Sequence, residues 1–422
     1  MAKIGIQTWG SNGDVRPLLA LADGLQQAGH QVTMVVSSID NRDYSEICRH
    51  LNIEYRHIPK QVDFDMPAFA EQTYRMNTIQ WLIALLEAAF FPHEQEMYRA
   101  AQQLVDENDL LIAHHFLYPI KIAAIKQNKP YVSVTYCHGA IPTKNSPPFQ
   151  FPDLGSFLNK QQWKILDYTF DWALKKRLSK LWLHEGLPHF KHIYPGLLTS
   201  DLLNLVAVDP VLCLEQEQFA PIHQVCGFLN LPESAEKWII PEQLVDFIAA
   251  GDPPVYMTFG SLQQAVPDWS MELFIAAVEK AGCRAIIQTS SGKYPPDSQM
   301  ENIYFIGKHP HQPVFKQCSA VVHHGGAGTT HSASRSGCAS VVVPFMDEQL
   351  FWGCQLQKIG LAGKPLPSRK ADAAVLADRI RYVLSSRSIE QTTESVATQM
   401  QGRDGVAEAV KLISRLAIDS DE

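Results

Sequence analysis

The chain has 422 residues, 46% of them hydrophobic and 19% charged, which suits two or three globular domains with sizeable cores. Its formal net charge of -8 argues against a nucleic-acid partner. The eight cysteines stand singly with no C-x-x-C pair, so neither a zinc ribbon nor a disulfide framework is expected.

The first residues pass straight into a strand pattern, Lys3 to Thr8, without the basic start, apolar stretch and cleavage site of a signal peptide. A cytoplasmic location is therefore expected. A Gly-rich turn from Trp9 to Asp14, a helix from Val15 to Gln27 and a strand from Gln31 to Val36 complete a βαβ unit, which implies a parallel sheet. The apolar stretch Ile79 to Phe91 is too short to span a bilayer and carries Glu87, so it reads as a buried helix or pocket wall. Between Pro59 and Trp182 the pattern is irregular and aromatic. Phe149, Phe151, Phe157, Trp163, Tyr168, Phe170 and Trp172 together suit a pocket for a large, flat or greasy ligand. Lys175, Lys176 and Arg177 read as a solvated helix face.

A Pro- and Gly-rich stretch between Gly227 and Pro253 separates this half from a second α/β pattern. There Pro254 to Phe259 is a strand, Met271 to Ala281 a helix, and Ala285 to Gln288, Ala320 to His324 and Ala339 to Pro344 further strands. A helix is expected from about Ser395 to Leu416, followed by an acidic tail. The expected division is an N-terminal domain over 1–228, a C-terminal domain over 229–394, and a terminal helix within 395–422 that packs back on the first domain.

The sharpest motif is His323-His324-Gly325-Gly326-Ala327-Gly328-Thr329-Thr330, lying between a buried strand and a helix. Closely spaced glycines let a backbone approach a ligand, and the N–H groups of the first helical turn favour an anion such as a diphosphate. His324 adds a donor and the threonines add hydroxyls; a plain strand-to-helix turn is the competing explanation. The dinucleotide pattern G-x-G-x-x-G is absent from both opening turns, as is a Gly-Lys-Ser/Thr phosphate loop.

Gly10-Ser11-Asn12-Gly13-Asp14-Val15-Arg16-Pro17 resembles the opening motif of bacterial and fungal family-one glycosyltransferases. The run from Ile306 to Gln349, with Pro344-Phe345-Met346-Asp347-Glu348-Gln349-Leu350-Phe351-Trp352-Gly353 at and beyond its end, is similar to the nucleotide-sugar signature of the sterol and macrolide or glycopeptide types. The resemblance implies an α/β protein of the GT-B fold, two Rossmann-like domains facing across a cleft. It implies a nucleotide-sugar donor held by the C-terminal domain and a lipophilic small-molecule acceptor held by the N-terminal one. It also implies Asp14 as catalytic base with Ser11 beside it. Donor contacts follow from Gly260, Ser261, His311, His324, Gly326, Ala327, Gly328 and Thr329, and from Glu348 and Gln349 on the sugar. Glu348 stands where the family has Asp, which leaves the sugar open. Ile306 and Ser332 occupy the places of the tryptophan and glutamate of plant relatives, and bacterial relatives lack both as well.

An inverting transfer of glucose from UDP-glucose to a sterol or similar alcohol is thus expected, with no cofactor and no metal. A dTDP-sugar natural-product transferase is the alternative within the fold. A nucleotide-sugar binder without turnover, or a GT-B-like epimerase, is the alternative of another class. Spacing alone makes Asp14 a helix N-cap with Pro17 in the first turn; the family match makes it the base, and a helix N-terminus suits both. Asp63-Phe64-Asp65 reads as a solvated turn rather than a metal motif. His184-Glu185-Gly186-Leu187-Pro188-His189 has one residue too many for H-E-x-x-H and is broken by Gly and Pro. His323 reads as a packed histidine. Peripheral contact with a membrane remains open for a lipid acceptor, although the -8 charge gives anionic lipid no help.

Overall fold

The computed structural model describes residues 1–73, 76, 78–231, 238–264, 266–289 and 300–419. The chain divides into two compact units, Met1–Phe64 with Arg75–Ala235 and Asp404–Glu422, and Asp65–Tyr74 with Glu236–Arg403. The passage from one to the other at 235–236 lies outside the described residues.

The first unit is built on seven strands: β1 (Lys3–Gly10), β2 (Gln31–Ser38), β3 (Glu54–His57), β4 (Leu110–His114), β5 (Tyr131–Thr135), β6 (Leu203–Val206) and β7 (His223–Val225). All pair in parallel, in the order β3-β2-β1-β4-β5-β6-β7. β1 and β2 are buried along seven of their eight residues each, as expected where both sheet faces are covered. The chain winds outward from β1 to β3, then returns to the other side of β1 as β4. That reversal makes the C-terminal ends of β1 and β4 a topological switch point, where doubly wound sheets open a crevice.

The helix after β1 covers Asn12–Gln27 and starts three residues before the expected Val15. Ser11, not Asp14, is its N-cap; the Ser11 N–H donates to Asp14 Oδ2 at 2.8 Å, so Asp14 is the N3 residue of a capping box. Pro17 consequently lies inside the helix rather than in its first turn.

The second unit has β8 (Val255–Thr258), β9 (Ala285–Gln288), β10 (Ile303–Ile306), β11 (Ala320–His323) and β12 (Ala339–Val342), also parallel, in the order β10-β9-β8-β11-β12. Alternate strand residues feed opposite cores, as the two-residue period requires. Val255, Met257, Ile287 and Val322 pack with Phe259, Phe274 and Ile380. Tyr256, Ile286 and Val321 pack with Phe315 and Leu244. The switch point here falls between β8 and β11.

The expected helix over 395–416 is in fact two. Arg387–Gln401 is grouped with the second unit and Gly405–Asp419 with the first. The chain breaks at Gly402-Arg403-Asp404, where Asp404 Oδ1 accepts the N–H groups of Val406 and Ala407, each at 3.0 Å, and so starts a new helix. The Gly405–Asp419 helix lies against the Asn12–Gln27 helix so closely that a Cβ on Gly24 would stand 2.2 Å from Val406 Cγ1.

The aromatic middle is divided between core and solvent. Trp163 is buried, but Phe157, Tyr168 and Trp172 are exposed on a 29-residue helix, Ser156–His184. The stretch Ile79 to Phe91 holds a helix, Thr78–Leu85, then a π-helical turn over Leu86–Phe90. That turn brings Phe90 edge-on to Trp9 at 5.2 Å, just before the end of β1. Among the described residues no helix is long and apolar enough to cross a membrane.

Candidate functional site

In the first unit the switch point gathers Gly10 at the end of β1, Ser11 and Asp14 at the start of the following helix, His114 at the end of β4 with His115 next to it, and Tyr136 just past β5. Gly10 has φ +133°, and a Cβ there would stand 2.4 Å from Asp14 Oδ2, so only glycine lets this carboxylate fold back over the end of the strand. Asp14 Oδ2 accepts the Ser11 N–H at 2.8 Å and the Ser11 hydroxyl at 3.1 Å. Both bonds go to Oδ2, so Oδ1 is the oxygen placed to take a proton. The Tyr136 hydroxyl donates to the Asp14 main-chain carbonyl at 2.9 Å, fixing the first helical turn. Burial raises the Asp14 carboxyl from 3.8 to about 6, against the opposing pull of the Ser11 hydrogen bonds; nearby Asp40 adds to the rise.

Tyr136 stacks obliquely on His114, with ring centroids 5.2 Å apart, and His114 lies 4.4 Å from His115. Nδ1 of each histidine is buried without a hydrogen-bond partner. Burial holds His114 down at about 4 and drives His115 well below the usual histidine range. Both rings are therefore neutral at pH 7. This cluster escaped the sequence reading. Leu110 to His115 shows only a buried strand ending in histidines, and its place beside β1 depends on strand order.

In the second unit the switch point carries the glycine-rich turn. Gly325 has φ +93°, and a Cβ there would meet the Gln349 carbonyl oxygen at 2.6 Å and Val342 Cγ1 at 2.9 Å. Gly326 is the N-cap of the Ala327–Arg335 helix, so the N–H groups of Ala327, Gly328 and Thr329 open its first turn, where an anion is favoured. The His324 ring is wedged between two glycines. A Cβ on Gly260 would lie 3.0 Å from its Cε1, and one on Gly326 would lie 2.4 Å from its Nε2. Burial lowers His324 to about 4 and His323 to about 3, with His324 and His311 reinforcing the latter. His324 Nδ1 is buried without a partner, whereas His323, fully buried, accepts the Gly325 N–H on Nδ1 at 3.2 Å as a packed histidine does.

Other expected donor residues fall as follows. Gly260 follows β8, its N–H bonded to Thr258 Oγ1 at 2.9 Å. Ser261 has a described backbone, in the 3-10 turn Gly260–Gln264, while its side chain lies outside the described residues. His311 opens the short His311–Phe315 helix and stacks on Phe315 at 4.8 Å. Gln349 is buried and its Oε1 accepts the Phe345 N–H at 2.8 Å, which orients the side-chain amide. Glu348, beside it in the first turn of the Asp347–Ile359 helix, is exposed. Ile306 is buried in the core below Tyr256.

Asp63 and Asp65 are exposed, and Asp65 Oδ1 accepts the Ala68 N–H at 3.0 Å, a helix start rather than a ligand set. His184 ends the Ser156–His184 helix, and Glu185 pairs with Lys126. Among the described residues no group of three or more His, Cys, Asp or Glu could hold a metal ion.

The neutral histidines set the response to acid. Each has a folded value below the free value of 6.5, so it bears no cost above pH 6.5 and destabilises progressively as pH falls toward about 4. The melting temperature is expected to fall between pH 6.5 and 4.5 more steeply than in a His114→Asn, His324→Asn variant. Parallel curves for the two proteins in a calorimetric pH series would contradict this.

The chain matches known proteins along its length. The family described as "Erythromycin biosynthesis protein CIII-like, C-terminal domain" matches residues 282–416. A sterol 3-beta-glucosyltransferase of Arabidopsis thaliana is 26% identical over 98% of this chain and 68% of its own length. The vancomycin aglycone glucosyltransferase of Amycolatopsis orientalis is 28% identical over 97% of each chain. Among solved structures, a Streptomyces sp. SF2575 glycosyltransferase complexed with thymidine diphosphate superposes with a TM-score of 0.64, at 19% identity, over 98% of this chain and 100% of that one. Two parallel α/β sheets and these relatives agree: the chain is a glycosyltransferase with the GT-B fold, similar to those of the family-one type.

Proposed function

We propose that the chain transfers glucose from UDP-glucose to the hydroxyl of a sterol or similar lipophilic alcohol, with inversion and with Asp14 as general base. The observation that carries this reading is the Asp14 carboxylate, folded over the end of β1 at a switch point, one oxygen held by Ser11 and its affinity raised to about 6. At pH 7 such a group is mostly ionised yet basic enough to take a proton, the compromise general bases need. The acceptor oxygen attacks the anomeric carbon as the bond to the diphosphate breaks, and the hydroxyl proton passes to Asp14 Oδ1. The departing diphosphate is met by the N–H groups of Ala327, Gly328 and Thr329 and by neutral His324 as a hydrogen-bond donor. Gln349, Glu348 and the Gly260-Ser261 turn complete the proposed donor contacts. The sterol acceptor is favoured by the Arabidopsis thaliana relative, which aligns over 98% of the chain.

A second reading keeps the chemistry and changes the donor to a dTDP-sugar on a natural-product acceptor. It is favoured by the superposable structure that holds thymidine diphosphate and by the vancomycin aglycone glucosyltransferase.

The test is turnover of the purified protein with UDP-glucose and with dTDP-glucose against a panel of sterols and polyketide alcohols, with NMR of the product anomer. A β-glucoside formed from UDP-glucose and sterol, undiminished by EDTA, is the expected result. Turnover confined to dTDP-sugars would transfer the assignment to the second reading, and an α-glucoside would remove single displacement.

A further inference from the structure

The Ser156–His184 helix carries an exposed apolar stripe, in which Tyr168 meets the His192 ring edge-on at 5.3 Å. Phe157, Ile165, Tyr168 and Trp172 recur at spacings of eight, three and four residues, which at about 100° per residue places them along one face. They are 73%, 56%, 63% and 88% exposed. The buried positions Trp163, Leu174, Leu178 and Leu181 lie on the opposing face and anchor the helix to its unit. So the stripe does not face a core, and side chains this large rarely cluster in water without a partner.

Its flanks are basic. The same helix holds six basic residues, Lys160, Lys164, Lys175, Lys176, Arg177 and Lys180, against two acidic ones, Asp167 and Asp171. It is thus locally positive by four charges in a chain whose net charge is -8. Lys160 and Lys164 project on one side of the stripe and Lys176 and Lys180 on the other, roughly 60–100° away from it, and all four are exposed. Of the remaining two, Arg177 pairs with Glu87 at 3.1 Å, while Lys175 is turned toward the Lys191 carbonyl and the Phe190 ring.

We infer that this face is a docking surface for an anionic lipid bilayer, with Phe157, Ile165, Tyr168 and Trp172 entering the interface and the flanking lysines reaching the phosphates. Aromatic side chains prefer the headgroup boundary, and lysines beside an apolar stripe extend their stems over it while their ammonium groups stay at the surface. The charge selects this occupant over a second copy of the chain, because two such faces meeting would oppose four net positive charges with four more. The charge is also what makes the surface local: the whole-chain balance repels anionic lipid, whereas this helix is positive. The inference goes beyond the proposed reaction and does not depend on it, since docking needs neither donor nor acceptor.

The experiment is sedimentation of the full chain with vesicles of phosphatidylcholine alone or with about a third phosphatidylglycerol, without nucleotide-sugar or sterol. The wild-type protein is expected to co-sediment with the anionic vesicles at least about tenfold more tightly than with the neutral ones, less so at high salt. Phe157→Ser with Trp172→Ser is expected to abolish binding. Lys164→Glu with Lys176→Glu is expected to erase the preference for anionic lipid. Ile239→Ser, at an 89% exposed apolar residue of the second unit, is the control and should bind as wild type. Melting temperatures verify folding of each variant, all of whose substitutions are at the surface. The inference is overturned if wild type stays in the supernatant, if the Phe157, Trp172 variant still binds, or if light scattering shows a dimer that this variant dissociates.

Discussion

Asp14→Asn is expected to lower turnover by about 10²-fold or more while leaving nucleoside diphosphate affinity unchanged. The amide cannot accept the hydroxyl proton, but its oxygen can still take the Ser11 N–H that Asp14 Oδ2 holds at 2.8 Å. Nothing in the second unit's anion cradle is altered by the change. The same substitution is expected to make the protein more stable above pH 6. A carboxyl whose folded value is raised from 3.8 to about 6 disfavours folding in its ionised form. That cost is absent below pH 3.8, grows between pH 3.8 and 6, and is full above, on the order of 3 kcal/mol at most.

The pair of outcomes separates the two roles Asp14 can hold. If it were only the N3 partner of a capping box, the Asn variant would lose stability and keep its turnover. A catalytic carboxylate held in an unfavourable place loses turnover and gains stability, the trade expected of functional sites. Chemical denaturation at pH 5 and pH 8 beside single-turnover kinetics reads both. Unchanged turnover in a folded variant would sink the base assignment. In the wild type the rate should rise with pH through about 6 as Asp14 ionises.

How much of this was legible in the sequence depended on whether the residues concerned are neighbours along the chain. β11, the glycine turn and the following helix form one continuous run, and their order alone makes the strand, turn and helix start legible. β9 was read to the residue, because four apolar or amide residues between turns leave little latitude. Asp14 was located, but not its cap position, because Ser11 and Asp14 compete for that role and only the Ser11 N–H bond to Asp14 decides it. His114, His115 and Tyr136 were invisible as a group, since Tyr136 reaches the Asp14 carbonyl across 122 positions and only the strand order brings β4 and β5 near β1. The aromatic middle was only partly legible, for the converse reason. Composition suggested a pocket, and helical phase sends Phe157, Tyr168 and Trp172 to solvent and Trp163 inward. The terminal helix was divided by Asp404, whose capping side chain is a local signal and could have been recognised.

Gly326→Ala is expected to weaken nucleoside diphosphate binding at least about tenfold with little loss of stability, and Gly325→Ala to unfold the second unit's site outright. The two glycines differ in what constrains them. Gly326 has φ -66°, which alanine adopts freely, so its methyl group tests only the space beside it. That space is filled by His324 Nε2, 2.4 Å from the Cβ position. The methyl group therefore displaces the His324 ring from its seat beside the glycine turn. Gly325 instead has φ +93° and a Cβ position 2.6 Å from the Gln349 carbonyl, a backbone atom in the next helix. Alanine there strains its own backbone and pushes that helix away from β12, costing about 3 kcal/mol or more. His324→Ala should match Gly326→Ala in affinity, because a hydrogen bond to a charged phosphate is worth about 1.5–3 kcal/mol. If Gly326 acts through His324, the double variant should bind no more weakly than either single one. Calorimetric titration of UDP and dTDP into the three variants reads this directly. Additive losses would show that the first-turn N–H groups, and not His324, are what the Gly326 methyl group disturbs.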